Sequence, residues 1–236
     1  MNISEFKFAN FKSYKEEVAI DFTALESDYL AMNTFPYNAE NTTGSLLKTI
    51  AILGPNASGK SNVIWALRAF HYFIGESRKF AVNSKMQHDP FLLHTERTDA
   101  PSTFYMKFVL KETIYSYQFS YDSTHFLSEQ LIKCTPNEEQ HTIFNRLDTG
   151  VVFSDNEVFC KFLNKHKHTT VLPNHLVLSE SAIWEPNILQ DIYAELSSIH
   201  TEVTYGHINL KGNASTIAEF ILRDNSSMIT KQLEKL

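Results

Sequence analysis

Alternation and three-to-four spacing of apolar residues divide the chain into strands, with one long helix in its first third. Ile3, Phe6, Phe8 and Phe11 are the apolar positions of an opening strand. After a turn at Ser13–Lys15, Val18, Ile20 and Phe22 alternate in a second strand. Thr23–Ser45 is rich in Asn, Thr and Tyr without a period, and reads as an irregular excursion. Leu46–Leu53 is an apolar run that ends at a glycine, the pattern of a buried parallel strand. From Asn62 to Phe73 the pattern is helical, with Val63, Leu67, Phe70 and Ile74 at helical spacing and Gly75 as the stop.

Beyond Pro101 the character changes. Phe104, Met106, Phe108 and Leu110 alternate, as do Tyr115, Tyr117, Phe119 and Tyr121, with Lys111–Thr113 between them. That is an antiparallel hairpin by pattern. A third strand follows near Phe126–Lys133, a fourth at Thr142–Arg146 and a fifth at Val151–Ser154, with Gly150 at the turn. Asn156–His166 and Asn187–His200 have helical patterns, with a short apolar strand at Leu176–Leu178 between them. Asn213–Arg223 and Met228–Leu236 read as further short helices. The expected organisation is therefore N-terminal strands and a central strand–loop–helix unit in 1–101, an antiparallel β-subdomain in 102–155 and a helical segment in 156–236. No internal repeat is present.

Composition adds limits rather than detail. The chain has 236 residues, 43% apolar and 20% charged, which suits a globular protein with a real core. A net charge of −6 argues against a surface built wholly for nucleic acid, while leaving room for local basic patches. Two such patches are Arg78, Lys79 and Lys85, and Lys161, Lys165, His166, Lys167 and His168. Both are candidates for nucleic-acid phosphates, with a solvated helix face as the simpler reading. Cys134 and Cys160 have no C-x-x-C partner and read as idle thiols in a reducing compartment. The N-terminus lacks the basic and apolar regions of a secretion signal, and no apolar run reaches the roughly 20 residues needed to span a bilayer. The expectation is a soluble cytoplasmic protein with no membrane partner.

The chemistry lies between the apolar run and the helix. Gly54, Pro55, Asn56, Ala57, Ser58, Gly59, Lys60 and Ser61 fit G-x-x-x-x-G-K-[ST] at every fixed position, the Walker A or P-loop pattern. Two of the seven glycines in the chain fall on the two positions that need them. Each residue type has a physical task. The glycines let successive N–H groups turn inward toward phosphate oxygens, and the following helix adds its positive end. Lys60 would set an ammonium on the β- and γ-phosphates, the Ser61 hydroxyl would complete a magnesium shell, and Asn62 follows directly. The pattern therefore predicts binding of a nucleoside triphosphate with magnesium, ATP first among them.

Gly54–Ser61, preceded about forty residues upstream by Phe8-Ala9-Asn10-Phe11-Lys12-Ser13-Tyr14, resembles the ABC-type ATPases of the SMC, RecF and OLD branch. More narrowly, it is similar to the bacterial AAA family ATPases of abortive-infection and retron-linked phage-defence systems. The hairpin Ser102–Tyr121 with Phe126–Leu131 resembles the antiparallel β-lobe of that group, and Leu176–Ala182 resembles a further segment. The resemblance implies an α/β P-loop NTPase fold, with a parallel core strand and helix plus an antiparallel β-lobe. It also implies that Lys12 and Ser13 lie near the nucleotide, and that a residue such as Gln87 or His94 coordinates magnesium where the lobes join. Its partners would be a second head bound across ATP and an effector such as a nuclease or a reverse transcriptase system.

An ATPase of this type also needs a glycine-bearing signature and an apolar strand ending in Asp-Glu. Leu178-Ser179-Glu180-Ser181-Ala182 lacks the glycines, and Leu176-Val177-Leu178-Ser179-Glu180 ends in Ser-Glu. No catalytic residue is identified. The expectation is the N-terminal part of a longer ATPase, weak or inactive alone, in which nucleotide binding works as a switch on the effector. The alternatives are a DNA-binding repair ATPase of the SMC/RecF kind and a degenerate nucleotide-binding protein. The ten histidines show no metal-binding spacing. Tyr115, Tyr117 and Tyr121 read as a packed sheet face rather than a base-stacking platform.

Overall fold

The computed structural model describes residues 1–25, 28–39, 42–93, 100–135, 140–147, 150–153, 171–184 and 188–201. Strands β1 (Asn2–Ala9) and β2 (Val18–Asp21) come first, followed by the short hairpin β3 (Thr34–Ala39) and β4 (Thr42–Leu47). Helix α1 (Lys60–Glu76) leads to β5 (Ser102–Leu110), β6 (Thr113–Tyr121), β7 (Phe126–Cys134), β8 (Gln140–Leu147) and β9 (Gly150–Phe153). The helical turn α2 (Val177–Glu180) and helix α3 (Ile188–Ser197) complete the described elements.

Seven strands form one antiparallel sheet in the order β2-β1-β5-β6-β7-β8-β9. The period-two pattern explains it, because the register aligns the apolar positions into rows. Phe8 faces Phe104, Phe104 faces Phe119, and Phe6, Met106 and Tyr117 form the adjacent row. These side chains are almost fully buried. Helix α1 covers them with Val63, Ala66, Phe70 and Phe73, which helical spacing brings onto one stripe. Phe70 stacks on Phe119 at 5.6 Å, and Phe73 sits 4.6 Å from Tyr121, so the helix is fastened to the sheet by rings. Tyr115, Tyr117 and Tyr121 are part of this core, as their alternation predicts.

The hairpin, the three later strands and both long helices fall where the patterns put them; α1 runs through Gly75 to Glu76. Other expectations need correction. Leu46–Leu53 is not a buried parallel strand here. Its first residues end β4, which pairs antiparallel with β3, and Ile50–Leu53 belong to no strand. Leu53 is 89% exposed. A buried strand needs neighbours on its edges, and among the described residues no strand pairs with Ile50–Leu53.

The excursion Thr23–Ser45 holds a 3-10 turn at Asp28–Asn33 and the β3–β4 hairpin. Leu176–Leu178 is not a strand either: Val177 starts the turn α2. The strands placed by pattern in 1–101 and in 102–155 hydrogen-bond within one sheet through the β1–β5 pair. The helical patterns at Asn156–His166, Asn213–Arg223 and Met228–Leu236 lie outside the described residues.

Candidate functional site

Helix α1 begins at Lys60, so the Gly54–Ser61 loop opens directly into its N-terminus. No acidic residue lies in the first turn, which leaves the positive end of the helix to an anion. Ala57 and Gly59 take positive φ, 63° and 93°, bending the backbone sharply before the helix. Residues 51–58 are exposed. The Lys60 ammonium folds onto the loop's own carbonyl oxygens, 2.8 Å from Gly54 and 2.5 Å from Pro55. A phosphate oxygen is a stronger acceptor than a peptide carbonyl for that ammonium, so the lysine is already stationed beside the loop it would serve.

The sheet supplies a second wall. Phe11 and Tyr14 exchange backbone hydrogen bonds of 2.8 and 2.9 Å, which leaves Lys12 and Ser13 at the tip of a two-residue turn. Asn10 and Lys12 both lie in the left-handed region, with φ of 50° and 52°. Asparagine tolerates that conformation better than most residues. Its side chain also holds the turn in place, donating 2.7 Å to Ala100 O and accepting 3.0 Å from Phe91 N. The Asn of the Asn-Phe pair is thus a structural lock.

The turn reaches the P-loop. Asn62 Nδ2 donates 2.8 Å to Ser13 Oγ, and Tyr14 OH donates 3.2 Å to the Gly59 carbonyl. A Cβ on Gly59 would stand 2.6 Å from Ser13 Oγ, closer than real Cβ contacts come. Gly59 is therefore needed twice, for its φ and for the approach of Ser13. Lys12 turns the other way. Its ammonium lies 3.1 Å from Asp89 Oδ2, which also accepts 3.0 Å from Gln87, and its N–H donates 2.8 Å to Asp89 O.

A buried network steadies the far end of α1. Glu129, wholly buried on β7, sits opposite Phe119 on the sheet face that packs against the helix. It accepts from Tyr117 OH at 2.8 Å, Val177 N at 2.6 Å and Leu178 N at 3.0 Å. This carboxylate takes up two N–H groups at the start of α2, which explains why the apolar run turns into helix. Burial holds its pKa above the usual carboxylate range, against the hydrogen bonds from Leu178 and Val177 and the Arg146 charge. Burial likewise pushes the Tyr117 phenol well up.

Arg146 lies 4.0 Å from Glu129 and donates to the carbonyls of Leu172, Pro173 and His175. The segment so held bonds to the end of α1: Leu176 N donates 3.2 Å to Ser77 Oγ, and Arg78 N donates 3.1 Å to Ser179 Oγ.

Of the residues singled out by sequence, Gly54–Asn62 and Ser13 come together in one place. Lys12 and Gln87 meet at Asp89 beside it, on α1's flank. His94, Cys160 and the basic run 161–168 lie outside the described residues. Lys79 pairs with Glu76 at 2.8 Å on the helix surface. Among the described residues no group of three His, Cys, Asp or Glu side chains converges on a metal-sized site. A P-loop magnesium does not need a cluster of three such side chains, since it is held by the P-loop hydroxyl, one or two further side chains, phosphate oxygens and water. Asn10, Asp89, Glu129 and Arg146, which hold the turn or the end of α1, were not legible from the sequence; only Asn10, two residues from Lys12 in the quoted motif, carried a signal.

No helix among the described residues is long and apolar enough to cross a membrane. No curated protein matches the chain. A family profile described as "AAA domain, putative AbiEii toxin, Type IV TA system" matches residues 50–217, which takes in the P-loop, α1 and the strands β5–β9. With more than half of its length in that match, the chain belongs to this AAA-domain family, an ABC-like ATPase family linked to abortive infection.

Proposed function

We propose that Gly54–Ser61 binds ATP with magnesium, and that this binding works as a switch on a partner effector in phage defence. The observation that carries the reading is the loop itself: a full P-loop pattern opening into a helix free of first-turn carboxylates, with Lys60 folded onto it. The loop N–H groups and Lys60 would hold the β- and γ-phosphates, and Ser61 and Asn62 would stand at the first turn of the helix. The Ser13 hydroxyl, close against Gly59 and Asn62, would close the site from the side of the sheet. Magnesium, when bound, would neutralise phosphate charge next to the Ser61 hydroxyl.

The groups that align and activate water are absent from this sequence, so we assign them to another segment or chain, most simply within a dimer of such heads. On this reading the parallel core of a P-loop NTPase would also be completed there, with Ile50–Leu53 as one of its strands. The strands of 102–155, together with β1 and β2, form the lobe. Effector control follows from the abortive-infection link of the family together with binding that does not proceed to efficient turnover.

Titration of the protein with ATP, in magnesium and in chelator, tests the assignment. ATP should bind more tightly with magnesium, and Ser61→Ala should lose that gain while keeping the affinity measured in chelator. Equal affinities for the wild-type protein with and without magnesium would sink the metal half of the reading.

A further inference from the structure

A cavity of about 250 Å³ lies between the flank of α1 and the turn that carries Phe11 and Lys12. Its walls are aromatic: Phe11, Trp65, Tyr72 and Tyr121 all line it. Two cations lie on one of those rings, with Arg68 Cζ 5.0 Å and Lys12 Nζ 5.7 Å from the Trp65 centroid. The Lys12 ammonium also belongs to a polar edge, where it and Gln87 Nε2 both bond Asp89 Oδ2.

Flat aromatic walls, cations at the rim and one hydrogen-bonding edge suit a planar heteroaromatic ring that carries a negative charge on a short tether. An acyl chain would make no use of the cations or of the polar edge at Asp89 and Gln87. A simple anion would make no use of the rings.

No residue of Gly54–Ser61 lines the cavity, but the same two elements, the Phe11–Tyr14 turn and α1, border both it and the loop. Ser13 closes on Gly59 and Asn62, and its neighbour Lys12 lines the cavity. On α1, Trp65 follows Ser61 by four residues, so the two lie on one face about 6 Å apart along the axis. We infer that this cavity is the nucleobase subsite of the P-loop, in which Trp65 stacks on the base and the Gln87–Asp89 pair meets its edge. The inference rests on the reading of Gly54–Ser61 as a triphosphate site. Arg68 has an exposed side chain and can fold over the outer face of the inserted ring. Larger purine rings gain more than pyrimidines from the indole face, so ATP and GTP should bind more tightly than CTP.

The test compares ATP·Mg with inorganic tripolyphosphate·Mg, which has the phosphates and no base, by calorimetry on the wild-type protein, Trp65→Ala, Trp65→Phe and Lys60→Ala. Loss of a stacking platform weakens binding by roughly tenfold to a hundredfold. Trp65→Ala should show that loss for ATP and none for tripolyphosphate, while Trp65→Phe keeps most of the ATP affinity. Lys60→Ala should weaken both ligands.

Trp65 is half-buried, so an alanine there can damage the fold, and fluorescence gives a second readout. ATP should quench indole emission in the wild-type protein, tripolyphosphate should not, and Trp65→Phe should abolish the quench while still binding ATP. Equal weakening of both ligands in a folded Trp65→Ala, an unchanged ATP affinity, or the same quench in Trp65→Phe would each overturn the subsite. If the wild-type protein binds neither ligand, the triphosphate site fails, and the subsite with it.

Discussion

Replacing Glu129 by alanine removes one acceptor from three buried donors: Tyr117 OH, Val177 N and Leu178 N. A buried donor left without a partner costs about 1–3 kcal/mol. Arg146 keeps its carbonyl partners but loses the carboxylate 4.0 Å away. Water admitted to the space would offset part of the loss, so the lower end of each range applies. The sum is about 3–5 kcal/mol, the size found when one partner of a buried ionic pair is removed.

Urea denaturation followed by circular dichroism measures that loss. For a chain of this size it corresponds to a fall in Tm of roughly 10 °C. Amide exchange at Val177 and Leu178 should rise together with it, because those N–H groups are the ones released. A loss below about 1 kcal/mol, or unchanged protection at both amides, would refute the view that Glu129 anchors α2 and, through it, the end of α1.

Two further changes probe the same physics. Glu129→Gln keeps the shape while removing the titration. Because burial raises the folded pKa above the ordinary 4.5, the native state keeps its proton where the unfolded chain has lost it. The wild-type protein should then lose stability relative to the Gln variant as pH rises from 4.5 through the folded value, and parallel pH profiles in urea melts would contradict this. Gly59→Ala sets a Cβ 2.6 Å from Ser13 Oγ at a φ of 93°. Thermal melts should show a destabilisation that Ser13→Ala relieves only in part, since the hydroxyl clash disappears and the left-handed strain of about 1–2 kcal/mol stays. Full relief would mean that the backbone at Gly59 is unstrained.

The sheet was readable because its inward face repeats every second residue, and the hairpin Ser102–Tyr121 repeats it without a break. The P-loop was readable because the chemistry fixes residue types at fixed spacing. What failed to show in the sequence depends on residues far away in the chain. Ile50–Leu53 looks like a buried strand from its own side chains, but burial is set by neighbours that those residues do not encode. Leu176–Leu178 is a short apolar run without a period, and it becomes helix because Glu129, 48 residues from Val177, accepts its first N–H groups. Trp65 and Asp89 look like an ordinary helix aromatic and an ordinary loop acid. Only the fold brings both against Lys12.

The central claim, that Gly54–Ser61 holds the phosphates of ATP, is tested most directly by calorimetric titration of ATP·Mg into the wild-type protein and Lys60→Ala. A charge-assisted hydrogen bond contributes about 1.5–3 kcal/mol, so the variant should bind roughly tenfold to a hundredfold more weakly, with its ligand-free melting temperature little changed. Equal affinity of the two proteins for ATP·Mg would contradict the account.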